Sequence, residues 1–241
     1  MAARKEPMKI VYGPIISPCL GKAIAVDPIG RHPKACSFNC VYCRLGSHGI
    51  MLHERAVFIE DDIMLEQIGE CEHGDDCCGV LFKGTGDPFL ASNIFSAARK
   101  IKEASSKKVG VMTNCSLLGQ PEVLKELDAF DVIIVKLDAA TEGTFQMVNR
   151  PHPSISFSDV LSGIREARLS FHGSFRMRVT LVRENLHEMG EISRICREMC
   201  PDYLYLNLPE LCDPSHQVSK REAQAAWEKF NDIPCISQSD M

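Results

Sequence analysis

The sequence lacks several features that would assign it to other classes of protein. Nowhere in its 241 residues does an apolar run approach the roughly 20 residues that span a bilayer, and the start, MAARKEPMKI, lacks the apolar centre of a secretory signal. It contains neither a low-complexity tract nor an internal repeat, so no disorder is expected beyond the ends. These absences favour a folded protein of the cytoplasm with no membrane partner.

Positive charge is also in short supply. The 27 Lys and Arg residues are outnumbered by 32 Asp and Glu residues, which gives a net charge of -5. A broad phosphate-binding surface needs an excess of cations. Nucleic acid is therefore unsupported as a partner, although an acidic total is compatible with a local basic groove.

The length fits one α/β domain and is too short for two domains of ordinary size with a linker. We expect a single domain over residues 1–241, with a core over about 10–210 and a helical extension over about 211–241. We expect a monomer or a weak dimer.

Cysteine, by contrast, is abundant, with 12 residues. A reducing compartment keeps thiols free, so these residues are not interpreted as a disulfide framework. Metal or redox chemistry is the better interpretation, and so many thiols suggest an anaerobic host.

Apolar segments alternate with helical patterns along the chain. Strands are predicted at 23–26, 80–82, 109–112, 132–137, 175–182 and 203–208, and helices near 61–72, 90–106, 120–128, 141–148, 157–170, 187–200 and 218–230. Repetition of a strand followed by a helix is typical of a parallel sheet, so the predicted fold class is α/β.

Polar residues alternate with apolar ones in the later strands. In SFRMRVTLV, Arg176 and Arg178 share one face, and in YLYLNLP the tyrosines share a face with Asn207. Lys136 and Asp138 likewise share a face. The apolar faces belong under the helices, so these polar side chains should point into the barrel. A dry barrel core would not tolerate them, which favours an open or partial barrel whose interior is a binding cavity.

Cys36, Cys40 and Cys43 follow a strand at the spacing C-x3-C-x2-C. Three thiolates at this spacing can wrap one cubane cluster and leave its fourth iron open to a substrate. The alternative is a structural zinc site completed by His32 or His48.

With the aromatic Tyr42 before the third cysteine, this spacing resembles the signature of the radical S-adenosylmethionine (radical SAM) superfamily. Further segments resemble a subgroup described as wyosine-related: YGPIISPCLGKAIAVDPI, FKGTGDPFLA, TNCSLL, KLDAATEGTF and NRPHP. The resemblance covers most of the chain and implies a partial (β/α)6 barrel.

The resemblance also implies the cofactors, a [4Fe-4S] cluster on Cys36, Cys40 and Cys43 and S-adenosylmethionine chelated to the unique iron. One electron would cleave the sulfonium to methionine and a 5'-deoxyadenosyl radical, which abstracts a hydrogen atom from the substrate. The chain would then be an enzyme of the oxidoreductase or lyase type, served by a reductant such as ferredoxin or flavodoxin.

The resemblance gives roles to a glycine-rich loop, KGTGDP. Gly84, Thr85, Gly86 and Asp87 stand where the family has a Gly-Gly-Glu-type motif that holds the methionine amino group. Here Asp87 replaces Glu, which shortens the reach. An isolated glycine turn would otherwise be an ordinary loop between a strand and a helix.

Lys136 and Arg178 are candidates for the methionine carboxylate, because a buried cation needs a partner. Either could instead bind the substrate or pair internally with Asp138. Asn114 and Asn207 fit hydrogen bonding to ribose or adenine.

The remaining cysteines are open to more than one interpretation. Cys115 stands where the subgroup has Gly after Thr-Asn, and its thiol could return a hydrogen atom to a product radical or simply pack in the core. Cys71, Cys77 and Cys78, with His73, could hold a second metal, but their spacing matches no known cluster pattern. The others are interpreted as packing or surface thiols: Cys19 (an Arg in the subgroup pattern), Cys196, Cys200, Cys212 and Cys235.

The substrate is not predicted by any segment of the sequence, and a small molecule, a peptide or a tRNA is possible. A tRNA-base modifier of the wyosine kind is one alternative, but the chain is short and acidic and has no evident second cysteine cluster. A non-catalytic iron–sulfur or zinc protein is the other, and it leaves the polar interior unexplained.

Overall fold

The computed structural model describes residues 8–17, 20–71, 77–209 and 212–237. In chain order the strands are β1 (Val11–Ser17), β2 (Gly21–Val26), β3 (Lys34–Cys36), β4 (Gly49–Met51), β5 (Gly79–Phe82), β6 (Lys108–Thr113), β7 (Val132–Lys136), β8 (Ser174–Thr180), β9 (Tyr203–Asn207) and β10 (Cys235–Ser237). Eight of them form one sheet in the order β1-β2-β5-β6-β7-β8-β9-β10, while β3 pairs with β4 in a small ribbon. Neighbours in the large sheet run parallel, except for antiparallel β1 and β2.

Helices connect most of the parallel strands. They are α1 (Asp61–Gly69), α2 (Ile94–Ala104), α3 (Pro121–Leu124), α4 (Glu142–Asn149), α5 (Phe157–Ser170), α6 (Met189–Met199) and α7 (Lys220–Trp227). Short 3-10 turns lie at Pro88–Leu90, Leu127–Ala129, Arg183–Glu188, Pro214–His216 and Glu228–Phe230. The longest helix, α5, has 14 residues, and none of the described helices is long and apolar enough to cross a membrane.

The sheet curls into a half-barrel, so the predicted α/β fold with a partial barrel is confirmed. All six predicted strands are present. Sequence patterns missed β1, because its exposed edge carries Gly13 and Pro14 and has little apolar alternation. They also missed β3, β4 and β10, which have three residues each and are too short for a pattern to emerge.

The two faces of the sheet carry different side chains. On the outer face, Phe175, Met177 and Val179 of β8 are at most 1% exposed and pack in the large core under the helices. The inner face has a smaller, separate apolar cluster near the amino ends of the strands, which we call the floor: Leu20, Ala23, Leu81, Val132 and Ile134. The alternation therefore places the polar residues of β8 inside the half-barrel, as predicted.

Residues 212–237 extend the sheet and the core. α7 is followed by β10, which pairs in parallel with β9. Ala226, Phe230 and Ile233 are buried in the main core. The extension therefore packs onto the half-barrel beside β9.

Candidate active site

The carboxyl ends of parallel strands meet at one edge of the half-barrel, where such folds place their chemistry. We call the inner polar side chains at this edge the mouth: Asp87, Asn114, Lys136, Asp138 and Asn207. Asn114 directly follows β6, Lys136 ends β7 and Asn207 ends β9. The loop after β5 supplies Asp87. The fold therefore brings together residues that are up to 120 positions apart in the sequence.

The cysteine loop lies across this mouth. β3 ends at Cys36, and a turn closes between the Cys43 amide and the Cys40 carbonyl at 3.0 Å. The loop is tied to α4, since the Val41 amide donates to the Val148 carbonyl at 2.9 Å. All three cysteines are half-buried. The main chain thus fixes the loop over the half-barrel.

Two asparagine side chains approach the thiols. Asn114 Nδ2 lies 3.7 Å from Cys36 Sγ, and Asn149 Nδ2 lies 3.6 Å from Cys40 Sγ. The pKa of Cys36 is raised to about 11, mainly by burial. Burial is also the main reason why the pKa of Cys40 is raised. Without metal, both thiols are protonated at neutral pH, and metal binding would release their protons. Sequence reasoning missed Asn149, although it lies in the quoted segment NRPHP.

A second network joins Tyr42 to Asp138. The Tyr42 hydroxyl donates to Asp138 Oδ2, and Lys136 Nζ donates to the same hydroxyl at 2.8 Å while lying 4.6 Å over the tyrosine ring. Asn149 Nδ2 also donates to Asp138 Oδ2 at 3.2 Å, and the Thr180 amide donates to Oδ1 at 2.7 Å. Burial raises the pKa of Tyr42 well above its ordinary value, so Tyr42 stays a donor. Asp138 is thus the acceptor that fixes the tyrosine and Asn149 side chains.

The glycine-rich loop is held by Asp27, which sequence reasoning missed. Asp27 is 1% exposed, and its Oδ2 accepts from the amide of Thr85 at 3.0 Å and from the Thr85 hydroxyl at 2.8 Å. A Cβ on Gly84 would lie 2.1 Å from this carboxylate, and one on Gly86 would lie 1.8 Å from the Ala35 carbonyl oxygen. Both glycines are therefore required by close packing between the loop, Asp27 and the cysteine strand.

Asp87 is already engaged by the protein. Its Oδ1 accepts from the Phe89 amide at 3.0 Å, and its Oδ2 accepts from the Thr113 hydroxyl at 2.8 Å and the Asn114 amide at 2.5 Å. A carboxylate accepts about four hydrogen bonds, so little capacity is left for a ligand. Asp87 fixes the glycine-rich loop to the end of β6, and its predicted contact with a methionine amino group stays a prediction.

Two arginines of β8 lie on the inner face. Arg178 Nη2 donates to Asn207 Oδ1, and Arg178 Nη1 lies 3.5 Å from Met112 Sδ. Arg176 Nη1 donates to the Tyr205 hydroxyl at 2.6 Å. The side-chain oxygen of Asn207 is thus engaged by Arg178, and both arginines line the interior.

The sequence profile of the Radical SAM superfamily matches residues 31–196, which is more than half of the chain. The chain belongs to the radical SAM superfamily. The cofactors of this superfamily are a [4Fe-4S] cluster and S-adenosylmethionine, as the resemblance predicted.

Curated relatives resemble the chain over part of their own length. A UPF0026 protein of Synechocystis sp. is 33% identical over 72% of this chain and 64% of the relative. A Brachyspira hyodysenteriae protein named GTPase Obg is 30% identical over 97% of this chain and 36% of the relative. The chain therefore spans between about a third and two thirds of the length of these relatives.

Solved structures share the fold. A radical SAM methyltransferase from Sphaerobacter thermophilus superposes with a TM-score of 0.69 over 92% of this chain and 67% of its own, at 15% identity. TYW1 with a lysine-pyruvate adduct bound gives a TM-score of 0.64 over 89% of this chain and 75% of its own, at 13% identity. Both confirm the radical SAM half-barrel.

The residues present fit the radical SAM cluster by the chemistry of their donors. Cys36, Cys40 and Cys43 present three thiols on one loop, and the side-chain amides of Asn114 and Asn149 approach two of them as hydrogen-bond donors, which are groups that such clusters use. As placed, no three Cys, His, Asp or Glu side chains within the described ranges are arranged to hold one metal ion. Binding of the cluster would require the Cys36 and Cys40 thiols to deprotonate. His32 and His48, the zinc alternatives, are exposed.

Cys115 packs between strands. It is 1% exposed, and its thiol lies 3.7 Å from the Thr113 carbonyl oxygen and 3.6 Å from the Lys136 carbonyl oxygen. Burial raises its pKa well above the ordinary value. Its φ of 70° is in the left-handed region that favours glycine, which explains why the subgroup pattern has Gly there.

The other cysteines form no site that the structure describes. Cys71 is half-buried, Cys77 is buried and Cys78 is exposed, while His73 lies outside the described residues. Cys19 also lies outside them, and the side chain of Cys235 is not described. Cys196 is buried in the core, Cys200 is exposed and Cys212 is half-buried.

Proposed function

We propose that this chain is a radical SAM enzyme whose cluster is held by Cys36, Cys40 and Cys43. One observation supports this most strongly: the cysteine strand is bound directly to the glycine-rich loop. The Ala35 amide donates to the Thr85 carbonyl at 3.0 Å, next to Cys36. The strand that ends at the proposed metal ligand Cys36 is therefore a direct neighbour of the loop that we propose binds the cofactor.

The other mouth residues are proposed to bind S-adenosylmethionine. The backbone of Gly84, Thr85 and Gly86 is assigned to the methionine amino group, with Asp87 orienting that backbone. Lys136 or Arg178 would pair with the methionine carboxylate, since both are half-buried cations on the inner face.

The nucleoside part would be held by amide groups. Asn207 has its side-chain oxygen engaged by Arg178, so its amide nitrogen is the group offered to ribose or adenine. Asn114 Nδ2 donates to Ser37 Oγ at 2.9 Å and also approaches the Cys36 thiol. We therefore propose that Asn114 hydrogen-bonds to the cluster ligand as well. Tyr42 and Asp138 hold the cysteine loop and Lys136 in place from below.

When held by Cys36, Cys40 and Cys43, the cluster would supply the electron for reductive cleavage of S-adenosylmethionine to methionine and a 5'-deoxyadenosyl radical. This chain then has to exclude water from the mouth and orient a substrate for hydrogen abstraction. Arg176 and Arg178 with Tyr205 form the polar inner surface assigned to the substrate. We propose a small molecule, a peptide or a tRNA as substrate and ferredoxin or flavodoxin as reductant, in an anaerobic cytoplasm.

The test is anaerobic reconstitution with iron and sulfide, followed by incubation with S-adenosylmethionine and dithionite. Formation of 5'-deoxyadenosine is followed by chromatography, and no substrate needs to be known. The test variant is Cys40→Ala, and the matched control is Cys200→Ala, which removes an exposed thiol far along the sequence.

We expect the wild type and Cys200→Ala to turn brown and to release 5'-deoxyadenosine. Cys40→Ala should lose at least about a hundredfold of this activity, because a cluster with two thiolates is poorly held. A colourless wild-type chain that takes up zinc instead would refute the proposal and favour a structural metal site.

A further inference from the structure

Lys34 is a buried lysine two residues before Cys36, the first cysteine of the C-x3-C-x2-C motif. Its side chain is almost fully buried, since the residue is 4% exposed. Its Nζ has no hydrogen-bond partner in the part of the chain that the structure describes. A buried ammonium without a partner is unfavourable, so this position calls for an anion that the described residues do not place within hydrogen-bond distance of Nζ.

The neighbouring strand is shaped to admit this side chain. Lys34 pairs with Gly49 across the β3–β4 ribbon. A Cβ on Gly49 would lie 2.6 Å from Lys34 Cγ and 3.1 Å from Lys34 Cε. Only glycine leaves room for the lysine stem to lie against β4. The buried position of the ammonium is therefore built into the ribbon.

Lys34 lies on the same side of its strand as the first cysteine of the motif. Lys34 and Cys36 are alternate residues of β3 and share a face, while Ala35 faces the main core. A cluster on Cys36 would therefore lie on the side of β3 that carries the Lys34 side chain.

Asp87 is not the missing partner. Its two oxygens already accept from Phe89, Thr113 and Asn114. A cluster on Cys36 would provide an anion on the same side of β3. Three thiolates on a [4Fe-4S] core give a net negative unit, and reduction adds a further negative charge.

We propose that Lys34 is a positioning residue for the cluster: its buried ammonium is the counter-charge of the anionic cluster and favours the cluster's reduced state. This inference rests on the proposed function, because it requires a cluster on Cys36, Cys40 and Cys43. It adds to that function a control of the potential at which the enzyme accepts its electron. A cation near an iron–sulfur centre raises the reduction potential by stabilising the added electron.

The test compares the full chain with Lys34→Met, which keeps the length of the stem and removes the charge. Lys34→Arg keeps the charge, and Lys125→Met removes the charge of an exposed lysine. Each protein is reconstituted anaerobically, and the reduced cluster is followed by electron paramagnetic resonance during a redox titration without S-adenosylmethionine. The unfolding of each metal-free protein in urea is measured in parallel.

We expect the ratio of reduced to oxidised cluster in Lys34→Met, at the wild-type midpoint, to fall about tenfold, as Coulomb's law predicts for unit charges about 10 Å apart in an effective dielectric of about 20. For one electron this is a downward shift of about 59 mV. The metal-free variant should be more stable, with its unfolded fraction at a fixed urea concentration reduced about tenfold. In Lys34→Arg and Lys125→Met, the ratio of reduced to oxidised cluster at the wild-type midpoint should stay within about twofold of the wild-type ratio.

A Lys34→Met cluster with the wild-type midpoint would overturn the inference while leaving the proposed function intact. An equal shift in Lys34→Arg would also overturn it, because charge would then not be the cause. Failure of the wild type to build any cluster would refute the proposed function and the role of Lys34 together. The stability measurement shows separately whether a variant has folded.

Discussion

The floor and the mouth of the half-barrel lie on the same face of the same sheet, yet their side chains differ completely. The floor is apolar, with Val132 and Ile134 of β7 at most 3% exposed. Two and four residues beyond Ile134, the same inner face carries Lys136 and Asp138. Burial of apolar area stabilises the floor, whereas the mouth consists of charges that need hydrogen-bond partners. One strand thus serves stability at its amino end and chemistry at its carboxyl end.

This contrast predicts that a change at the mouth disturbs the cofactor site and a change at the floor does not. The largest effect is expected for Asp138→Ala, which removes the acceptor of Tyr42, Asn149 and the Thr180 amide. It also leaves Lys136 without its acidic neighbour at 3.9 Å. We expect a loss of about 3–5 kcal/mol in the free energy of unfolding, together with loss of 5'-deoxyadenosine formation.

Urea unfolding and the chromatographic assay measure these two effects. Asp128→Ala, which removes an exposed carboxylate, is the control and should change neither. If Asp138→Ala kept both its stability and its activity, the hydrogen bonds of Asp138 to Tyr42 and Asn149 would not be what supports the cysteine loop.

The floor provides the opposite case. Ile134→Ala removes a side chain that is 1% exposed in the floor cluster. We expect a loss of about 2–5 kcal/mol in the free energy of unfolding, and about 0.5–1.5 kcal/mol for the milder Ile134→Val. At temperatures where the variants remain folded, iron content and 5'-deoxyadenosine formation should equal those of the wild type.

Iron analysis of folded Ile134→Ala protein checks this separation. A variant that is folded but deficient in iron would show that the floor shapes the mouth. The two regions would then act as one unit rather than as a scaffold and a site.

The smallest effect is expected for Cys115→Gly. Glycine relieves the cost of about 1–2 kcal/mol for a φ of 70°, while loss of the buried thiol costs about 1 kcal/mol. The two changes nearly cancel, so the free energy of unfolding should change by about 1 kcal/mol or less. Formation of 5'-deoxyadenosine should stay within about twofold, since the thiol faces the carbonyl oxygens of Thr113 and Lys136.

Turnover of a substrate, once one is known, sharpens this prediction. A packing thiol is dispensable for product formation, whereas a hydrogen donor is not. Loss of product with normal 5'-deoxyadenosine release would assign the hydrogen-donor role to Cys115.

The sequence predicted the parts of the fold that follow from periodicity. The alternation in β8 identified the inner position of Arg176 and Arg178, because each strand face has a period of two residues. The cysteine spacing located the candidate cluster loop, because ligands of one cluster lie close together in the chain. Short or exposed strands such as β1 and β10 carry no such pattern.

The contacts across the mouth could not be predicted in the same way. Asp27 and Thr85 are 58 residues apart, and Cys40 and Asn149 are 109 apart. Only the folded sheet brings these pairs together, so a buried Asp at the end of β2 looks like any turn residue. The burial of Lys34 was equally hidden, because a lysine after Pro33 is typical of an exposed loop.

We propose that the mouth binds S-adenosylmethionine at an open iron of a cluster held by the cysteine loop. The most direct test is the electron paramagnetic resonance spectrum of the reduced, reconstituted chain, recorded with and without S-adenosylmethionine. We predict a cluster signal whose shape changes when S-adenosylmethionine is added, because the ligand alters the unique iron. A cluster signal that is identical in both samples would contradict the claim.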